Sequence, residues 1–350
     1  MSNFDRSTRS WSRLATDLAW PLISLASVAW SIWLLQVKLE AEVSTDPIAR
    51  ALLEQGALWS DIKVVSEVIS ARLAQIPLEG YAFASLATLA AYAALAWYDR
   101  IALLHLSRLK AISWAYVCTT SFVAYALGHN VGASVLSGGA VRLRAYCAKG
   151  LSKAEVATLI AMCTFTFAYG TALSLGVVLL YEPEIMAPLV QVFPQFAVPD
   201  VGLRAIGGVL LVLCVIYASG SLLQLKPFRL RKVLVSYPLP RVVVRQLLAG
   251  PAELIAAAGI IYFALPSSGN PGFAIVLGAF LISFSAGLLS QVPGGIGVME
   301  AVFLALMPDI PATSVFAALL VWRVLYLLIP LALSGPVIIA FEYSQFRRRR

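Results

Sequence analysis

Long apolar runs separated by short polar clusters repeat along the whole chain. About 20 apolar residues cross a bilayer as a helix, and the runs predict spanning helices at 18–37, 80–98, 154–180, 203–225, 247–265 and 313–341. The alternating segments of about ten residues that mark a membrane β-barrel are absent. Two further apolar stretches are interrupted. One, within 111–149, contains Gly128, Gly132 and the pair Gly138-Gly139; the other, within 273–307, contains Gly287 and the pair Gly294-Gly295. In lipid, broken backbone survives only where protein or a water-filled cavity satisfies it, so both breaks are candidate parts of a pathway.

One segment has a different period. In 50–76, Leu58, Ile62, Val65, Ile69 and Leu73 recur at helical spacing, with Glu54, Asp61, Lys63, Glu67 and Arg72 on the other faces. This is an amphipathic helix, either lying on the outer membrane face or packed over the bundle.

Charge gives the runs an orientation. Basic residues gather at Arg6, Arg9 and Arg13, at Arg100, Arg108 and Lys110, at Arg142, Arg144, Lys149 and Lys153, within 226–245, and in the closing run Arg347 to Arg350. Acidic residues outnumber basic ones in 38–80, and 181–202 has Glu182, Glu184 and Asp200 with no Lys or Arg. The positive-inside rule then puts both termini in the cytoplasm, with a tail at 1–17 and a basic tail at 342–350. The first run is long for a signal-peptide core and no small-residue cleavage site follows Val37, so it is expected to stay as a helix. The net charge of +8 fits a basic membrane face that attracts anionic lipid. A nucleic-acid module would interleave aromatics with the basic residues in a soluble unit, and that is missing.

With these sides assigned, each interrupted stretch must enter and leave on one side, as a re-entrant hairpin. The order helix, helix, hairpin, helix then describes 18–180 from inside and 203–341 from outside. The predicted fold is an all-α polytopic membrane protein with an inverted repeat, carrying hairpins at 111–149 and 273–307. Composition agrees, because 13% charged residues is too few for a soluble surface, which normally draws on about 25%.

Several polar residues then stand where lipid should be. Arg323 lies near the middle of the last helix, where it needs a partner or a cavity, and Glu300 just past the second glycine pair is the candidate. Such a pair either fixes the fold or handles an anionic headgroup. Arg142 and Arg144 follow the first glycine pair as Glu300 follows the second, and guanidinium suits phosphate. They sit at a hairpin tip or in a plain cytoplasmic loop. Glu253 faces a cavity or a helix interface. His129-Asn130 beside Gly128 satisfies broken backbone or lines a path, and Glu155 caps its helix after Ser152. Cys118, Cys147, Cys163 and Cys214 lack metal spacing and read as small buried hydrophobes. With His105 and His129 the only histidines, no metal or cofactor is expected. No nucleotide loop or hydrolase motif is present.

LSGGAVRLRAY with LSKAEV downstream, then PGGIGVMEAVFL, then AALLVWRVLYLLIP resemble the lysylphosphatidylglycerol synthase transmembrane-region family, including its stand-alone, YbhN-type members. The resemblance runs from about residue 18 to 341 and is specific for family more than for substrate. It implies an inner-membrane flippase that moves phospholipid between leaflets, in the best understood members an aminoacylated phosphatidylglycerol. It further implies that Gly138, Gly139, Arg142, Arg144, Pro293, Gly294, Gly295, Glu300, Arg323 and Tyr326 line the path. Members that synthesise the lipid carry a long soluble domain after the membrane region. This chain closes on FRRRR, so lysyltransfer is not expected and an aminoacylated substrate would come from a separate lipid-modifying enzyme. Movement of lipid would draw on a gradient or on ion coupling, with Glu300 or Glu253 as proton carrier. The competing readings are a small-anion secondary transporter, a headgroup enzyme built on Glu300, His129 or Tyr146, and an accessory protein of a lipid-synthesis complex.

Overall fold

The computed structural model describes residues 62–131, 134–192, 198–225, 228–230, 233–235, 237–290 and 292–348. The predicted helix at 18–37, the tail at 1–17 and the front of the amphipathic segment lie outside the described residues. In chain order the helices are α1 (Ile62–Gln75), α2 (Leu78–His105), α3 (Trp114–Val131), α4 (Ser134–Cys147), α5 (Lys153–Tyr181), α6 (Ala187–Val192) and α7 (Asp200–Leu222). Then follow α8 (Pro240–Ala264), α9 (Phe273–Leu289), α10 (Val298–Leu306), α11 (Ala312–Trp322) and α12 (Ile329–Arg348). A π-helical segment, Arg323–Leu328, joins α11 to α12 into one continuous last helix. Between α7 and α8 a small antiparallel hairpin pairs β1 (Phe228–Leu230) with β2 (Val233–Val235). The class is all-α, with this short ribbon as its one exception among the described residues.

Among the described residues, five helices are long and apolar enough to cross a membrane: Leu78–His105, Lys153–Tyr181, Asp200–Leu222, Pro240–Ala264 and Ala312–Phe341. The chain is a multi-pass membrane protein. Prolines set several starts, with Pro77, Pro199 and Pro311 just before α2, α7 and α11 and Pro240 as the first residue of α8. A proline has no N–H to waste there, and its fixed φ directs the chain into the helix.

α2 and α8 form the central pair and share the most extensive contact in the bundle. Small residues let their backbones approach: Ala84, Ala91, Ala257 and Ala258 are fully buried. Where α5 crosses α8, a Cβ on Gly170 would stand 2.5 Å from the Gly250 carbonyl carbon. Glycine is therefore required at this crossing, as in close-packed membrane helices generally. α7 stacks outside α5 and turns Val209, Val212, Leu213 and Val215 outward, a face made for lipid.

Three helix ends differ most from the predicted ones; the last helix runs past 341 to Arg348, so most of the expected tail at 342–350 is helical. α2 continues past 98 to His105, because Asp99 and Arg100 are satisfied internally; Arg100 donates to the carbonyls of Leu109 and Ile112 at 3.2 and 2.8 Å. α8 begins at Pro240 instead of 247, so Arg241 and Arg245 belong to its first turns and not to a loop. The amphipathic segment, where described, is packed over the bundle: α1 lies on α11, Val68 is buried, and Arg72 Nε donates to Thr313 Oγ1 at 3.2 Å.

Candidate functional site

Two helical hairpins flank the central pair. In the first, α3 and α4 pack along each other and against α2 and α5. The pair Gly138-Gly139 does not break the backbone here; both residues sit inside α4. Gly138 serves instead as a contact point, since a Cβ there would stand 2.7 Å from the Ala124 carbonyl oxygen of α3. One turn on, Arg142 is buried and forks onto Asp99 of α2: Nη2 to Oδ1 at 2.8 Å, Nε to Oδ1 and Oδ2 at 3.1 and 3.2 Å. Tyr146 donates to Asp99 Oδ2 at 2.7 Å, the Cys163 thiol lies 3.3 Å from Oδ1, and the guanidinium rests 4.4 Å above the Tyr125 ring. A buried carboxylate with this many donors satisfies the rule that interior charge is paired and hydrogen-bonded.

In the second hairpin the glycine pair does break the backbone. Gly294, Gly295 and Gly297 have φ of 61°, 62° and 88°, values that L-residues with a Cβ avoid. The turn ends α9 and starts the short α10, and the Glu300 carboxylate reaches back to accept the Gly297 N–H at 2.7 Å. Its other oxygen is bound by Arg323 Nε, and Arg323 Nη1 donates to the Gly294 carbonyl at 3.0 Å. One arginine thus ties the last helix to both sides of the break.

The last helix is distorted where it does this. A π segment leaves carbonyls off the regular ladder, and two are taken by side chains: Tyr92 donates to the Tyr326 carbonyl at 3.0 Å and Asn130 to that of Leu327 at 3.1 Å. Tyr326 itself donates to Glu253 Oε1 at 2.5 Å. Its ring stacks on His129 and on Trp322, with centroids 5.3 and 5.2 Å apart. Pro251 lies two residues before Glu253 and removes a ladder bond from α8 near that level. Tyr98 gives its hydroxyl to the Gly250 carbonyl at 3.3 Å.

Between the hairpins lies a cavity of about 430 Å³. Its wall includes Tyr125, His129, Arg142, Cys163, Glu253, Phe284, Gly294, Gly295 and Trp322. Several buried polar atoms in this neighbourhood have no hydrogen-bond partner among the described residues: Glu253 Oε2, His129 Nδ1, Trp322 Nε1 and Arg323 Nη2. A mostly apolar wall with a few convergent polar groups is the form of a small-molecule site. Among the described residues no cluster of His, Cys, Asp and Glu is arranged to hold a metal.

Most of the predicted residues converge here, in altered roles. Arg142, Glu253, His129, Gly294 and Gly295 line the cavity, and Glu300, Arg323, Tyr326 and Asn130 form the layer that holds its wall. Gly138 and Gly139 shape α4 without lining the space, and Arg144 is exposed on the outer face of α4. Glu155 caps α5 in a reciprocal box with Ser152 and also pairs with Arg108 at 2.7 Å. Cys118 is exposed, against the reading of four buried thiols, while Cys163 and Cys214 are buried. Sequence reading missed Asp99, Tyr125 and Trp322. Asp99 adjoins Arg100 and so reads as the start of a loop; the contrary signal is that the apolar run resumes after the two as IALL.

No family model matches the chain. It is 32% identical over 266 residues to the uncharacterized protein slr0712 of Synechocystis sp., covering 74% of this chain and 78% of that protein. It is 30% identical over 222 residues to the inner membrane protein YbhN of Escherichia coli, covering 62% of this chain and 67% of that protein. A stretch of 100 residues, 28% of this chain, is 31% identical to phosphatidylglycerol lysyltransferase of Staphylococcus haemolyticus, of which it covers 12%.

Proposed function

The chain belongs to the YbhN-type family of inner membrane proteins, and from that premise we propose that it moves a polar lipid between the leaflets of the bacterial cytoplasmic membrane. The cargo is an anionic or aminoacylated phospholipid or a close relative of one. The observation that carries this reading is the cavity between the hairpins, at about 430 Å³. That volume accommodates a headgroup while the acyl chains stay in the surrounding lipid. The relation to a stretch of phosphatidylglycerol lysyltransferase supports a phospholipid cargo.

The packing supports an inverted repeat. The first hairpin contacts α2 and the last helix, and the second contacts α8 and α5. Exchanging α2 with α8 and α5 with the last helix carries one set of contacts onto the other. In this reading both hairpins are re-entrant, the first from the cytoplasm and the second from outside, with both termini cytoplasmic by the positive-inside rule. Neither Arg142 nor Arg323 waits as a free phosphate receptor, because each is held by a carboxylate. A headgroup phosphate binds by displacing Asp99 or Glu300 from a guanidinium, one anion for another, so entry of lipid loosens a hairpin from its neighbour.

Reconstitution tests this. Fluorescent anionic, zwitterionic and lysyl-modified phospholipids are followed across proteoliposome membranes, with Arg142→Lys and Arg323→Lys beside wild type. Wild type is expected to move at least one class, and the folded lysine variants to slow it by about tenfold, the loss of one charge-assisted hydrogen bond. If no class moves, with or without an imposed gradient, the reading fails.

A further inference from the structure

Two carboxylates stand beside the cavity, and the structure gives them opposite circumstances. We propose that Glu253 is a proton-binding site of the transport cycle, and that lipid movement is coupled to the proton gradient through it. The coupling rests on the lipid-translocation reading; the proton site does not. Glu300 is paired: the Arg323 guanidinium binds one carboxylate oxygen and the Gly297 N–H the other. Glu253 has no such support. It is 2% exposed, accepts the Tyr326 hydroxyl at Oε1, has the Tyr98 hydroxyl beside it as a second, neutral donor, and among the described residues has no hydrogen-bond partner at Oε2.

Among the described residues nothing that faces Glu253 offers it a positive charge. α2 presents Tyr92 and Tyr98, α3 presents Tyr125, and the last helix presents Tyr326, all phenols within electrostatic reach of its carboxylate. His129 of α3 and Cys163 of α5 share the cavity wall. The Arg142 charge is matched by Asp99 and the Arg323 charge by Glu300. α9 and α11, which also pack on α8, carry no ionisable residue, and Tyr217 of α7 meets α8 two turns earlier, at Gln246. A buried carboxylate with no counter-charge is costly to keep ionised, and a proton removes that cost. The proton adds to Oε2 from water reaching the cavity and leaves to water when the cavity opens to the other side; no other bond is made or broken.

Tyr326 gives the site its link to motion. Its hydroxyl reads the Glu253 carboxyl, its ring stacks on His129 and Trp322, and its backbone lies in the π segment one turn from Arg323. A change of charge at Glu253 therefore bears directly on the segment that clasps the second hairpin.

Infrared difference spectroscopy of the protein in lipid nanodiscs, titrated over a wide pH range, tests the site. Wild type is expected to show the C=O stretch of a buried carboxylic acid, Glu253→Gln to lose it, and Glu253→Asp to keep it at a shifted frequency. Glutamine preserves size and removes the charge, and thermal melting confirms that the variant folds. In proteoliposomes a pH gradient is expected to speed lipid movement by wild type and leave Glu253→Gln indifferent. A band unchanged in Glu253→Gln overturns the proposal. So does lipid movement that ignores pH and follows a sodium gradient, or that responds to pH equally in both proteins. If the band belongs to Glu253 but no lipid moves, the proton site stands and the lipid reading is what falls.

Discussion

The first hairpin, α3–α4, carries an arginine and takes its carboxylate from α2, whereas the second, α9–α10, carries a glutamate and takes its arginine from the last helix. The two ion pairs are alike in kind and unlike in setting. The Arg142 and Asp99 side chains are 6% and 0% exposed, those of Arg323 and Glu300 15% and 9%. The first pair adds a tyrosine, a thiol and an aromatic face to a bidentate fork; the second leans on the backbone of a glycine turn. The first hairpin is the anchored one, with its carboxylate fully enclosed. The second is fastened through less enclosed groups and through a helix that is already off its regular ladder, and so it is the better candidate to move.

That contrast is broken most directly at Asp99. Asp99→Asn leaves Arg142 buried without a counter-charge and is expected to cost about 3–5 kcal/mol. The measurement is reversible unfolding in detergent. The double variant Asp99→Asn with Arg142→Gln removes both charges and is expected to recover most of the loss. Equal instability of the single and double variants would mean that the pair is not what anchors α4.

The second hairpin responds more mildly. Glu300→Gln keeps an acceptor for Arg323 but gives up the charge, and is expected to cost about 1.5–3 kcal/mol, the worth of hydrogen bonds to charged groups. Because this pair is less enclosed, its cost should fall below that of Asp99→Asn in the same assay. If Glu300→Gln proves the more damaging, the assignment of anchored and movable hairpins is reversed.

How far the sequence foretold this arrangement differs between the hairpins for a physical reason. Arg323 and Glu300 stood out because charge inside an apolar run has few places to go, and their pairing could be expected. Arg142 stood out too, but its partner did not: Asp99 adjoins Arg100 at the end of a run and reads as the start of a loop. Only the fold shows that α2 continues for six more residues, through His105. The two glycine pairs looked equivalent because sequence shows where a Cβ is missing and not why. The π segment was invisible, since RVLYLL suits an α-helix equally well; what marks it is carbonyls taken by Tyr92 and Asn130 from other helices. Glu253 was seen as facing either a cavity or an interface, a choice that depends on how α3 and α9 close over α8.

The smallest effect expected is also the most specific, because it concerns a rank order. At Gly294 the backbone is left-handed with φ 61°, and a Cβ would meet nothing nearer than Arg323 Nη1 at 3.6 Å. The obstacle to substitution there is conformational. At Gly138 the backbone is helical, and a Cβ would stand 2.7 Å from the Ala124 carbonyl oxygen. The obstacle there is space. Asparagine visits left-handed conformations more readily than alanine, by about 1 kcal/mol, whereas in a tight helix contact the larger side chain is the worse one. Gly294→Asn should therefore be more stable than Gly294→Ala, and Gly138→Asn less stable than Gly138→Ala, with all four melted under one set of conditions. The same order at both sites would mean that the glycine pairs do the same job and that the hairpins differ less than their geometry indicates. Opposite orders would show that two identical dipeptides serve one hairpin by letting helices touch and the other by letting the chain turn.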